Sequence, residues 1–124
     1  MAHALVVDDS RAVRKLLSHT LQEMGYEVTE AENGVAALDA LQSQPQPVHL
    51  ILTDWNMPEM NGLDLLKAVR GKPEYDAVPI VMVTTETEME HMAAALEAGA
   101  SEYVMKPFTR DILADKLRLA GIHV

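Results

Sequence analysis

The chain has 124 residues, room for one compact domain rather than two cores of ordinary size, and 48% of it is apolar. Ten basic residues face nineteen acidic ones, and the resulting net charge of -9 repels nucleic-acid phosphates and anionic membrane surfaces. The absence of cysteine excludes a disulfide frame and a thiolate metal site.

No apolar run approaches the length needed to cross a bilayer, and Met1-Ala2-His3 opens without the basic segment and small-residue cleavage site of an export signal. The expected location is therefore cytoplasmic, with neither nucleic acid nor membrane as a partner.

In chain order, the first strand-sized apolar run is Ala4 to Val7. It is followed by a helical pattern from Arg11 to Met24 that puts Val13, Leu16, Leu17, Leu21 and Met24 on one stripe, with Ser10 capping its start and Gly25 its end. A second run, Glu27 to Ala31, leads to a helix expected after Asn33 with Val35, Leu38 and Leu41 inward. The third run is Val48 to Thr53, and its helix follows Asn61 and Gly62 with Leu63, Leu66 and Val69 inward. Ile80 to Thr84 precedes a fourth helix from about Glu88 to Ala98, which stops at Gly99. Last come Glu102 to Met105 and a helix capped by Thr109, with Ile112, Leu113 and Leu117 inward.

Regular alternation of strand and helix predicts an α/β fold, a doubly wound five-stranded parallel sheet with helices on both faces. Near-continuous apolar strands such as His49 to Leu52 and Pro79 to Val83 suit strands buried on both sides. One domain over residues 1–124 is expected, since no repeat, low-complexity tract or interdomain linker interrupts the pattern.

Reactive polar residues close four of these runs or follow them at once: Asp8-Asp9, Asp54, Thr84 and Lys106. In a parallel sheet those ends share one edge, where open α/β sheets bind their ligands. Carboxylates held together repel one another unless a cation joins them. An all-oxygen donor set suits magnesium, with Asp9 and Asp54 as direct ligands, Asp8 acting through water and the Asn56 main-chain carbonyl supplying another oxygen. Ionised at neutral pH, Asp54 can attack phosphorus without a general base, and Lys106 and the Thr84 hydroxyl are available to neutralise the equatorial oxygens. Before phosphate arrives, the Lys106 cation can pair with the acidic cluster.

Each of these residues has an ordinary reading in isolation. Asp8 and Asp9 can cap a helix, Asp54 can open a turn before Trp55-Asn56-Met57-Pro58, Thr84 suits a strand and Lys106 a solvated surface. Their joint placement at one sheet edge is what points to function. The five histidines lack metal-ligand spacing, and the eight methionines fall mostly on expected core faces.

These residues resemble the response-regulator receiver domains, over nearly the whole chain. The likeness is carried by Leu5 to Ser10, by Thr53-Asp54-Trp55-Asn56-Met57-Pro58 with Asn61-Gly62, by Met82-Val83-Thr84, and by Gly99-Ala100-Ser101 leading to Lys106-Pro107-Phe108. The resemblance implies a flavodoxin-like strand order of 2-1-3-4-5 and a cis Lys106–Pro107 bond. It also implies an Asp54 phosphoacceptor charged with Mg2+ by a histidine kinase or a histidine phosphotransfer protein, a Thr84 switch hydroxyl, and a Tyr103 ring that moves as Thr84 shifts. The output protein would bind the face of the fourth helix, fifth strand and fifth helix, the flagellar motor switch being one such partner of chemotaxis-type members. Such a chain is no enzyme beyond its own phosphorylation and dephosphorylation. Where the enteric chemotaxis member carries basic residues at the start of the fourth helix, this chain reads Glu86-Thr87-Glu88-Met89-Glu90, which favours a basic partner surface.

Within the family the leading expectation is a stand-alone two-component, chemotaxis-type switch. The alternatives are a phosphorelay carrier or phosphate sink, or a receiver excised from a larger regulator or hybrid kinase. From another class stands a magnesium-dependent aspartyl phosphatase, which would place Asp-x-Asp after the first strand, whereas here Asp54-Trp55-Asn56 follows the third. A flavin-binding flavodoxin-like protein is disfavoured, because Asp8 and Asp9 would face the flavin phosphate.

Overall fold

The computed structural model of the chain describes residues 2–43, 47–85 and 92–122. Its five strands are β1 (His3–Val7), β2 (Glu27–Ala31), β3 (Leu50–Asp54), β4 (Ile80–Thr84) and β5 (Glu102–Met105). Between and after them lie α1 (Arg11–Glu23), α2 (Gly34–Ser43), α3 (Gly62–Arg70), α4 (Met92–Glu97) and α5 (Arg110–Leu119). All pairings are parallel and the order is β2-β1-β3-β4-β5, the doubly wound arrangement expected. A short 3-10 turn at Pro73–Tyr75, not anticipated from the sequence, leads into β4.

Strand alternation divides the core into two layers. Leu5, Val7, Ile51 and Met82 face α2, α3 and α4, where they meet Leu41, Leu65, Leu66 and Ala95. Ala4, Val6, Leu50, Leu52, Val81 and Val83 face the other way, against Leu17 and Leu21 of α1 and Leu113 and Leu117 of α5. β1, β3 and β4 are buried along their whole lengths, which leaves chemistry to the residues at and just beyond their carboxyl ends.

Helix starts follow the expected caps: the side-chain oxygens of Ser10, Asn33, Asn61 and Thr109 accept from the N–H groups of Val13, Ala36, Asp64 and Ile112. Gly25 takes φ 98 just after α1, a conformation that strains any side chain.

Several inward assignments need correction. Leu16, Val35 and Ile112 are exposed, while Ala37 on α2 and Leu65 on α3 take buried positions. Each error lies at the margin of a stripe whose other members, Leu17 and Leu21 on α1, Leu41 on α2, and Leu113 and Leu117 on α5, are buried as expected. The fourth-helix start and the Glu86 to Glu90 stretch lie outside the described residues.

Candidate functional site

β1 and β3 are direct neighbours, so the residues at their carboxyl ends are brought side by side. Asp8 follows β1 and is fully buried; Asp54 ends β3 with 6% exposure; Asp9, the next residue along from Asp8, is exposed. One ligand oxygen from each of Asp8, Asp9 and Asp54 lies within 4.8 Å of the others. Lys106, just beyond β5, reaches across to this pair, its Nζ 3.2 Å from Asp8 Oδ2 and 3.1 Å from Asp54 Oδ1. The Lys106–Pro107 peptide is cis.

Local hydrogen bonds hold each carboxylate. The Ser10 N–H donates to Asp8 Oδ1 at 2.8 Å, and the Trp55 N–H donates to Asp54 Oδ1 at 2.9 Å. Thr53 Oγ1 donates to the Asp54 carbonyl at 3.0 Å. Behind Asp54, the Gly62 N–H donates to the Trp55 carbonyl at 2.8 Å, folding the start of α3 against the end of β3. The Gly62 requirement is steric, because a Cβ there would meet the Asp54 carbonyl oxygen and, at 2.9 Å, the Met82 methyl.

Thr84 ends β4 fully buried, and its hydroxyl donates to the Thr85 carbonyl at 3.3 Å. Its own carbonyl accepts from the Lys106 N–H at 2.6 Å, which ties the end of β4 to the Lys106 backbone. Asn56 sits two residues beyond Asp54 with an exposed side chain. Tyr103 stands lower on β5, paired in register with Met82, half-buried, with the Lys116 ammonium 4.1 Å from its ring centroid. Lys116 also lies 3.7 Å from Glu102. Thus Asp8, Asp9, Asp54 and Lys106 meet at one point and Thr84 is joined to them through the Lys106 backbone, whereas no contact of the Asn56 or Tyr103 side chain with that cluster is seen among the described residues.

Burial alone would lower the Lys106 pKa, yet hydrogen bonding and charge from Asp54, followed by charge and a hydrogen bond from Asp8, hold it above the ordinary lysine value. The ammonium is therefore firmly charged. An all-oxygen cluster of three carboxylates is also a fitting donor set for a hard divalent cation such as magnesium.

Two contributors escaped the sequence reading. The Arg14 guanidinium donates to the Asp8 carbonyl at 2.8 Å and to Glu30 Oε1 at 3.3 Å. A signal was present: Arg14 stands three and seven residues before Leu17 and Leu21, on the buried stripe of α1, where a cation needs a partner.

Residues 4–118 match the family described as Response regulator receiver domain. The chain belongs to the response-regulator receiver family. This receiver is 48% identical over 114 residues to a chemotaxis protein CheY homolog of Campylobacter jejuni, covering 91% of this chain and 87% of that one. It is 47% identical over 116 residues to chemotaxis protein CheY1 of Helicobacter pylori, with 93% of each covered. A solved structure of the chemotaxis response regulator CheY4 of Vibrio cholerae superposes with a TM-score of 0.88 at 41% identity, over 97% of this chain and 98% of that one. It is accordingly the receiver domain of a CheY-type chemotaxis response regulator in a two-component system. Receivers of this type are signalling proteins that work with histidine kinases and output proteins. The small-molecule phosphatase reading finds no support among these relatives. No helix among the described residues is long and apolar enough to cross a membrane.

Proposed function

We propose that Asp54 of this receiver is the phosphoacceptor, and that the receiver takes its phosphoryl group from a phosphohistidine on a histidine kinase or histidine phosphotransfer protein. The observation that carries this reading is the reach of Lys106 Nζ to both Asp8 and Asp54 beside the three-carboxylate cluster.

An Asp54 oxygen attacks phosphorus, the phosphorus–nitrogen bond to the donor imidazole breaks, and the imidazole leaves with the electron pair, neutral because its other ring nitrogen already carries a proton. Asp9 and Asp54 would hold Mg2+ directly, with Asp8 through water and the Asn56 carbonyl as a further oxygen. When bound, that ion neutralises charge on the transferring phosphoryl oxygens. Lys106, released from carboxylate pairing, turns its ammonium to the phosphoryl group. Thr84 then brings its hydroxyl to the same group, and Tyr103 follows it inward. The Lys116 cation over the Tyr103 ring is one contact that such a movement exchanges.

The output face is that of α4, β5 and α5, where Leu96, Ile112 and Leu119 are 48%, 46% and 69% exposed. Apolar side chains flanking one strand give a phosphate-biased surface something to bind, a flagellar motor switch component in a chemotaxis setting. Residues 1–124 would act as one cytoplasmic receiver domain whose only chemistry is its own phosphorylation and dephosphorylation.

Incubation with acetyl phosphate and magnesium, read by intact mass, tests the acceptor. Wild type should gain one phosphoryl group and Asp54→Asn none; stoichiometric labelling of Asp54→Asn overturns the assignment. Thr84→Ala should be labelled like wild type, yet should lose the partner capture that beryllofluoride, a mimic of the attached phosphoryl group, induces in wild type.

A further inference from the structure

Asp9 is the exposed member of the acidic cluster, and among the described residues its carboxylate has no hydrogen-bond or ion-pair partner. Its position is therefore set by the backbone that carries it, above all by the peptide joining Asp8 to Asp9. That backbone is gripped on two sides. The Asp8 N–H donates to the Ala31 carbonyl at 3.1 Å, and the Asp8 carbonyl accepts from Arg14 Nη1 at 2.8 Å.

The guanidinium is fixed in turn: its Nε donates to Glu30 at 3.3 Å, and its side chain is only 15% exposed. Glu30 belongs to β2, whose register with β1 pairs it with Val6, two residues before Asp8. One planar cation thus ties α1, β2 and the loop that bears two of the three carboxylates. Lys15 supplies a built-in comparison, since it binds the same Glu30 at 3.0 Å, is 61% exposed, and among the described residues makes no hydrogen bond or ion pair to the loop.

We infer that Arg14 is a positioning residue for cation binding: by fixing the Asp8–Asp9 peptide it places the Asp9 carboxylate, and so sets the receiver's affinity for magnesium. The inference rests on the metal reading above. Outer contacts of this kind typically govern cation affinity by about 10–100-fold when removed. A fork that meets a carbonyl and a carboxylate together is geometry a lysine ammonium does not reproduce.

Trp55, the sole tryptophan, adjoins Asp54 and gives a direct readout of magnesium titration through its fluorescence. Arg14→Ala should weaken magnesium binding by about tenfold while labelling by acetyl phosphate at saturating magnesium stays close to wild type. Arg14→Lys should recover only part of the loss, Glu30→Gln should weaken binding in the same direction, and Lys15→Ala should leave it unchanged. If Arg14→Ala fails to fold, Glu30→Gln against Lys15→Ala carries the same comparison. Wild-type affinity in folded Arg14→Ala or Glu30→Gln, full recovery in Arg14→Lys, or equal weakening in Lys15→Ala overturns the inference. A wild-type chain whose fluorescence and labelling ignore magnesium would sink the metal reading and this inference together, an outcome distinct from all of those.

Discussion

Gly62 shows how a residue without a side chain can control a reactive one. Its N–H is spent on Trp55, and the space where a Cβ would stand is filled by the Asp54 carbonyl and the Met82 methyl. Backbone cannot give way as a flexible side chain can, so Gly62→Ala should cost about 2 kcal/mol and slow Asp54 labelling, as urea denaturation and acetyl phosphate kinetics would register. Gly71 is the counterexample. A Cβ there meets only carbonyls at 3.4 and 3.5 Å, its φ is -73, and Gly71→Ala should be neutral or stabilise by up to about 1 kcal/mol. Equal stability of the two variants would refute the steric account. The Asn61-Gly62 pair was legible as a helix start because capping is local. The reason for glycine was not, since Asp54 approaches from eight positions away in sequence.

At the level of elements, local periodicity located every α-helix whose start is described but drew some inward stripes one residue too wide. Ile112 and Leu113 are adjacent, so at most one can point straight at the sheet; Leu113 is fully buried and Ile112 is 46% exposed. What decides between them is the sheet packed opposite, whose inward side chains, Val104 of β5 among them, share one core cluster with Leu113 and Leu117. Leu113→Ala should therefore lose about 2–5 kcal/mol by denaturant titration, and Ile112→Ala under about 1 kcal/mol. A larger loss at Ile112 would mean that α5 is turned by a residue. The exposed Leu16 has a similar origin: with Val13, Lys106, Pro107 and Phe108 it borders an open groove of about 450 Å³ rather than the sheet. Strands were easier to read, because two-sided burial leaves an unbroken apolar run that needs no phase.

Across the whole molecule, the acidic cluster was legible because alternation of strand and helix sends every strand's carboxyl end to one edge, however far apart the residues lie in sequence. The Arg14 and Glu30 brace was not, since it depends on which helix lies over which strand.

The same edge concentrates a charge that the fold must balance, and Lys106 does so by reaching from beyond β5, past β4, to the ends of β1 and β3. Replacing it by Lys106→Met leaves Asp8 and Asp54 facing each other without a cation. The cost should be about 2 kcal/mol at neutral pH, below the ~3–5 kcal/mol of a fully buried pair because the lysine side chain keeps 21% exposure. Because its folded pKa lies above the usual 10.5, the contribution of Lys106 is fully present below that value and fades as pH climbs through the raised one. The stability gap between wild type and Lys106→Met should therefore be flat from neutral pH to about 10 and close in stronger alkali. Magnesium supplies a second cation to the same carboxylates, and by mass action should stabilise Lys106→Met more than wild type, where it competes with the ammonium. Urea titrations of both proteins from neutral pH into alkali without magnesium, and at neutral pH with and without it, decide the matter: a gap that widens in alkali, or a larger magnesium gain in wild type, would show that the lysine is not the resting counter-ion of the acidic edge.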